Sequence, residues 1–194
     1  MANQRSRKDE ILDAASKLFA RLGFKKTTLD EVAGDVGIVK SALYRYFSNK
    51  EDLFNAVIDH FAKEHMEVIE KAVRGASGTE DKLRALLIAG HGAAVARTRN
   101  VAMPLEVWRE LKPLVDECTE GYKRSAIDGI RRILEEGVRR GELVCEDPQM
   151  VAVLMHSYAH HQMELAHRGE IDERQGEKNL NLVVDVLMDG LRKR

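Results

Sequence analysis

The chain has 194 residues, of which 44% are hydrophobic and 32% are charged, a balance that fits a soluble globular protein and excludes a disordered one. The content of only 3 prolines and 5% aromatic residues favours helices over strands. No stretch approaches the roughly 20 apolar residues that span a bilayer, and the polar N-terminus lacks a signal-peptide core. We therefore expect a cytoplasmic protein with no membrane partner.

The charge is distributed unevenly along the chain. The formal net charge is −1, but residues 1–50 contain 10 Lys and Arg against 6 Asp and Glu, whereas the remainder contains 21 against 26. A basic N-terminal segment on an acidic body is typical of a protein that contacts nucleic acid through that segment.

Three helices are predicted in this basic segment. Helix 1 covers about residues 7–22, with Ser6 as its N-terminal cap. Helix 2 begins after Thr28, which forms a capping box with Glu31, and Gly37 ends it within about two turns. Helix 3 covers about residues 40–47.

Helices 2 and 3 are joined by the tight turn Val36-Gly37-Ile38, the arrangement of a helix-turn-helix. Leu43 and Phe47 are four residues apart, so both can face the core of this module. The remaining side chains of helix 3 are then free to face a major groove. The N-terminal segment is therefore predicted to bind DNA.

Six further helices follow. A capping box at Ser48-Asn49-Lys50-Glu51 predicts a long helix 4 to about Val73, and Gly75-Ala76-Ser77-Gly78 is the best domain boundary. We expect Lys112-Pro113 to separate helix 6 from helix 7. The other predicted ranges are about 80–97 for helix 5, 104–112 for helix 6, 113–140 for helix 7, 148–168 for helix 8 and 172–191 for helix 9.

The N-terminal motif resembles the signature of the tetracycline-repressor (TetR) family. The resemblance is dense over about residues 7–54 and rests on Thr27-Thr28, Ile38, Leu43-Tyr44, Tyr46-Phe47 and Lys50-Glu51-Asp52-Leu53. It implies an all-α protein of about nine helices. In this organisation residues 1–53 bind DNA, helix 4 continues as a connector to about residue 74, and residues 79–194 bind an effector and dimerise.

The resemblance also implies roles for single residues. The expected phosphate contacts are Thr28, Tyr46 and Lys50, two of them at helix starts where free N–H groups favour anions. The expected groove-facing residues are Lys40, Ser41, Ala42, Tyr44 and Arg45. The chain departs from the family at Val39, where a small polar residue is usual, so helix 3 should lack a side-chain cap.

Residues for two further roles are predicted in the C-terminal body. Large adaptable side chains that could line an apolar effector site, or simply pack in the core, are Met103, Trp108, Tyr122, Met155 and Tyr158. Helices 8 and 9 are apolar on more than one face, which predicts a homodimer interface. Its candidate residues are Ala152, His156, His160, Met163, Leu182 and Val186.

The resemblance implies a ligand-responsive repressor, released from a palindromic double-stranded DNA operator by a small effector that the candidate residues predict to be apolar or aromatic. No cofactor, catalytic residue or metal ligand is expected. Two alternatives stay open. One is a helical metalloenzyme using the histidines of helix 8, although only one Glu-x-x-His motif, Glu164 to His167, is present where di-iron bundles need two. The other is a non-specific architectural DNA binder.

Overall fold

The computed structural model describes residues 6–98 and 103–192, and these residues form eight helices and no strand. The helices are α1 (Arg7–Leu22), α2 (Leu29–Val36), α3 (Lys40–Leu43), α4 (Lys50–Arg74), α5 (Thr79–Thr98), α6 (Leu105–Arg139), α7 (Pro148–His167) and α8 (Glu173–Leu191). The predicted all-α class is confirmed. None of the helices in the described ranges is long and apolar enough to cross a membrane.

Local capping determines where the first two helices begin. The Ser6 hydroxyl accepts the Asp9 N–H at 3.2 Å, and the Asp9 carboxylate accepts the Ser6 N–H at 3.1 Å. Thr28 and Glu31 form the same reciprocal pair, at 3.2 and 2.8 Å. Gly37 ends α2 with φ at 70°, a left-handed conformation that glycine adopts without a steric cost. The predicted starts of both helices are confirmed.

The N-terminal cap of α4 lies one residue later than predicted. Asn49, not Ser48, provides the cap, because its side-chain oxygen accepts the Asp52 N–H at 2.7 Å. The Asp52 carboxylate in turn accepts the Ser48 N–H at 2.8 Å. Since the helix begins at Lys50, its third residue is Asp52 and not the predicted Glu51, and the Asp52 carboxylate binds the residue before the cap rather than the cap itself.

The predicted helix break at Pro113 is wrong. Pro113 lies inside α6, which is 35 residues long and includes both predicted helices 6 and 7. Proline lacks an N–H group and so removes one hydrogen bond of the helix, but packing can outweigh that cost. Leu111 is buried beside the proline, and Leu114 and Val115 pack on the same core. The structure therefore has eight helices in its described residues where nine were predicted.

The described residues divide into two compact units. The first contains residues 6–63 and 103–120, and the second contains residues 64–98 and 121–192. In the first unit α1, α2, α3 and the start of α4 surround a core that includes Ile11, Leu43 and Leu53. The start of α6 adds Val107 and Leu111 to this core. The division thus differs from the predicted boundary at residues 75–78, since part of α6 groups with the N-terminal helices.

In the second unit α5, α7 and α8 pack against one another, and the end of α6 completes the core. The core stripe of α8 consists of apolar residues that are buried or pack on this core: Leu180, Val184, Leu187, Met188 and Leu191. His91 of α5 is also buried, and burial lowers the pKa of its imidazole. The ring packs directly against the backbone of Gly176 on α8, where a Cβ atom would overlap the imidazole.

This close approach predicts that Gly176→Ala destabilises the fold. The added methyl group has no room beside the buried ring, and overpacking of this kind costs about 1–3 kcal/mol. Gly190→Ala on the same helix is the matched control, because a Cβ atom there meets nothing within 4 Å. Urea unfolding should show a lower free energy of unfolding for Gly176→Ala, and an unchanged or higher one for Gly190→Ala. Equal stabilities of the two variants would contradict this packing.

Candidate nucleic-acid interface

The segment after the Gly37 turn has one buried face and one exposed face. Leu43 and Phe47 are 0% and 2% exposed and belong to the core of the first unit. Tyr44 and Tyr46 are 48% and 41% exposed, and Arg45 between them is also exposed. Large aromatic and cationic side chains are thus presented to solvent on a segment whose apolar residues anchor it.

Helix α3 is shorter than predicted. Its helical part ends at Leu43, and Tyr44 to Tyr46 continue as a hydrogen-bonded turn. The N–H groups of Tyr46 and Phe47 both donate to the Leu43 carbonyl, at 2.9 and 3.1 Å, so the chain still coils in the helical sense. Val39 gives the helix no side-chain cap, as predicted from its departure from the family pattern.

Lys40 is held at the start of α3 by an ion pair with α2. Its ammonium group donates to the Asp30 carboxylate at 2.7 Å, and this hydrogen bond raises the pKa of Lys40. Both side chains are largely exposed, so the pair is weak and screened by salt. Lys40 therefore keeps its positive charge at the surface, while Asp30 orients it.

Lys50 occupies the first turn of α4 and is held by two groups. Its ammonium group donates to the Lys25 carbonyl oxygen at 3.2 Å and lies 4.6 Å from the centroid of the Phe24 ring. Thr28, at the start of α2, exchanges hydrogen bonds with Glu31 and is exposed. The three predicted phosphate residues, Thr28, Tyr46 and Lys50, therefore all belong to the first unit, and their side chains are exposed or partly exposed.

The five predicted effector residues divide between the two units. Met103 packs on the core of the first unit, and Trp108 is a half-buried residue of the same unit. Met155 is buried in the core of the second unit, Tyr158 packs against it, and Tyr122 is half-buried. Two surface clefts of about 320 and 500 Å³ are lined by other residues.

The predicted dimer face on α7 needs a correction. Ala152 is fully buried in the chain's own core, so it is not available to a partner, while His156, His160 and Met163 are half-buried on the flank. Leu154 is instead an exposed apolar side chain of this helix, with 56% of its surface exposed. The helix is apolar around much of its circumference, so its pattern did not indicate which face turns inward.

The prediction for α8 agrees better with the observed burial. Leu182 and Val186 are 62% and 63% exposed and lie one turn apart on the side away from the core stripe. Two neighbouring helices of the second unit thus carry large exposed apolar side chains, with Met150 also exposed at the start of α7.

Three contacts of the first unit had no signal in the sequence. Asp30 and Lys40 are ten residues apart, Lys25 and Lys50 are 25 apart, and Lys25 and Glu110 are 85 apart. No periodicity or motif joins these positions, so only the folded chain reveals the pairs. They show that loops and helices far apart in sequence orient the basic side chains.

Three comparisons with known proteins agree with this architecture. Residues 11–57 match the family model described as bacterial regulatory proteins, tetR family. The chain is 30% identical over 161 residues to the transcriptional regulator TtgR of Pseudomonas putida, covering 77% of this chain and 74% of TtgR. It is 29% identical over 148 residues to the fatty acid metabolism regulator protein of Bacillus subtilis, covering 74% of each.

The fold is also that of solved regulators. The fatty acid degradation regulator FadR from Bacillus halodurans superposes with a TM-score of 0.74 at 20% identity, covering 94% of this chain and 96% of FadR. Regulators of this family bind DNA and are typically dimers with small-molecule effectors. The relatives are regulators and not enzymes, so the metalloenzyme alternative has no support. The chain belongs to the TetR family and is a transcriptional regulator with an N-terminal helix-turn-helix that binds DNA.

Proposed function

We propose that this regulator is a repressor that binds a palindromic operator as a homodimer and leaves it when a small apolar or aromatic effector binds. The observation that carries the proposal is the division of the α3 segment into a buried face, Leu43 and Phe47, and an exposed face with Tyr44 and Arg45. A segment anchored in this way presents a fixed set of side chains to a groove.

The groove-facing side chains differ in what they can read. Arg45 carries a planar guanidinium that can donate two hydrogen bonds to guanine, and Tyr44 offers a hydroxyl and a ring face. Ser41 and Ala42 are small enough to approach a base edge or a thymine methyl group. Lys40, paired with Asp30, completes the set of five predicted groove residues.

Thr28, Tyr46 and Lys50 are assigned to the phosphate backbone. A hydroxyl group and an ammonium group at the first turns of α2 and α4 lie where free backbone N–H groups also favour an anion. Such contacts fix the position of a protein on the duplex but read no sequence. We therefore assign sequence specificity to the groove-facing residues, and the position of the protein along the duplex to these three phosphate contacts.

The exposed apolar side chains of α7 and α8 are assigned to the homodimer interface. Exposing several large apolar side chains to water costs free energy, and a second copy of the chain can bury them. These side chains are Leu154, Leu182 and Val186. A two-fold axis at this face would present two α3 segments to successive major grooves, about 34–36 Å apart. An operator with two-fold symmetry follows from that arrangement.

The effector is assigned to the C-terminal helices. Tyr122, Met155 and Tyr158 stay candidate contacts in the second unit, and Met103 and Trp108 stay separate candidates in the first unit. The apolar chemistry of these side chains favours an apolar or aromatic ligand. Two similar regulators are named for fatty acid metabolism or degradation, which agrees with an apolar ligand. The effector needs only to bind more tightly to a conformation that fits DNA poorly, with a coupling of about 1–3 kcal/mol.

Two substitutions separate reading of sequence from contact with phosphate. Arg45→Ala should cost about 1–3 kcal/mol on the cognate operator and little on unrelated DNA, because it removes a base contact. Lys50→Ala should weaken binding to all sequences alike and lower the slope of log K against log salt by about one unit. Fluorescence anisotropy over a salt series, with operator and scrambled duplexes, measures both effects.

These outcomes also distinguish the architectural alternative. A non-specific binder would show no difference between the two duplexes, and Arg45→Ala would weaken both equally. If neither substitution changed the affinity for any duplex, the assignment of the α3 segment to DNA would be wrong.

The dimer face predicts that Leu182→Glu separates the two copies. A carboxylate placed in an apolar interface must lose its hydration, and two copies of the change meet at a two-fold axis. The dimer dissociation constant should rise by at least about 100-fold. Val68→Glu on α4, another exposed apolar residue, is the control and should leave the dimer intact. Analytical ultracentrifugation measures the dissociation constant of each variant. If Leu182→Glu dimerises as tightly as wild type, α8 is not part of the interface.

A further inference from the structure

A carboxylate on α6 holds the loop between α1 and α2. Glu110 accepts the backbone N–H of Lys25 at 2.8 Å. The same carboxylate lies against Gly23, where a Cβ atom would come within 2.9 Å of it, and Gly23 has φ at 86°. A larger residue would strain this backbone, and its Cβ atom would require the Glu110 side chain to shift. Gly23 therefore leaves room for the Glu110 carboxylate beside the loop.

The loop is also closed on itself. The buried Thr27 hydroxyl donates to the Gly23 carbonyl at 2.8 Å, and the Thr27 N–H donates to the same oxygen at 3.3 Å. The ring of Phe24 lies 5.9 Å from Phe19 and 5.3 Å from Phe54. The Lys25 N–H takes no part in this closure of the loop, because it donates to the Glu110 carboxylate.

Both groups that hold Lys50 belong to this loop. The Lys25 carbonyl accepts from the Lys50 ammonium group at 3.2 Å, and the Phe24 ring lies 4.6 Å from that group. A lysine side chain has four rotatable bonds, and a free one loses more conformational entropy on contacting a phosphate than a restrained one. The loop thus restricts Lys50 before DNA arrives.

We propose that Glu110 is a positioning residue for DNA binding, which acts through the backbone of Lys25 to place the Lys50 ammonium group against a phosphate. The inference rests on the proposed contact of Lys50 with the DNA backbone. It makes α6 a direct support of the DNA-binding surface through one hydrogen bond within the first unit.

The sign of the effect separates positioning from simple charge. A carboxylate in a DNA-binding unit repels phosphate, so electrostatics alone require that its removal tightens binding. If Glu110 positions Lys50, Glu110→Ala should instead weaken DNA binding, because it removes the acceptor of the Lys25 N–H. Glu110→Gln removes the same charge but keeps an oxygen acceptor, and Glu110→Asp keeps the charge but withdraws the carboxylate by one methylene group.

The experiment measures binding of the full chain to a mixed-sequence duplex of about 30 base pairs over a salt series, a probe that reports phosphate contacts. The variants are the three at Glu110, Lys50→Ala, the double variant Glu110→Ala/Lys50→Ala, and Glu106→Ala as control. Glu106 is an exposed carboxylate one turn earlier on α6. Thermal unfolding of each variant, together with the NMR position of the Lys25 amide, reports whether the loop changes without loss of the fold.

We expect Glu110→Ala and Glu110→Asp to bind about threefold to tenfold more weakly than wild type, with a lower salt slope. Glu110→Gln and Glu106→Ala should bind as well as wild type or better. The double variant should be no weaker than Lys50→Ala alone, because the two changes remove one contact. The Lys25 amide resonance should move in Glu110→Ala and Glu110→Asp more than in Glu110→Gln.

Three results would overturn the inference. If Lys50→Ala weakens binding and lowers the slope but Glu110→Ala and Glu110→Asp do not, the positioning role is wrong and the phosphate contact stands. If Lys50→Ala has no effect, the phosphate contact is wrong and the positioning role with it. Additive losses in the double variant would likewise show that Glu110 does not act through Lys50.

Discussion

The insertion of Leu43 and Phe47 into the core of the first unit is the contact on which the DNA-binding surface depends. The helical part of α3 has only four residues, far fewer than an isolated helix needs to be stable in water. Its conformation and orientation therefore come from these two buried side chains and from the Gly37 turn before them. With Leu43 and Phe47 buried, the side chains of Tyr44 and Arg45 are exposed to solvent.

The rest of the first unit supports this one segment. Basic side chains around it are held by neighbours from other elements: Lys40 by Asp30 of α2, and Lys50 by the loop after α1. The start of α6 packs on the same core, so a helix that continues into the second unit contributes to the stability of the DNA-binding unit. A change in α6 thus has a physical route to the surface that contacts DNA.

The sequence predicted features that depend on neighbouring residues and failed where distant packing decides. The starts of α1 and α2 follow from side chains three residues apart, and the burial of Leu43 and Phe47 follows from their spacing. Pro113 was expected to break a helix, but tertiary contacts on both sides keep α6 continuous. The inward face of α7 was misassigned because apolar residues surround that helix. The contact of Glu110 with the first loop has no local signal at all.

In the proposed complex, two copies of the α3 segment read DNA about a two-fold axis. The most direct measurement is selection of binding sites by the purified full chain from a library of random-sequence duplexes. We expect enrichment of a palindrome whose half-sites are centred about 10 base pairs apart or at a multiple of that spacing, since successive major grooves lie one helical turn apart. Enrichment of a single unpaired site, or no enrichment above the starting library, would contradict it.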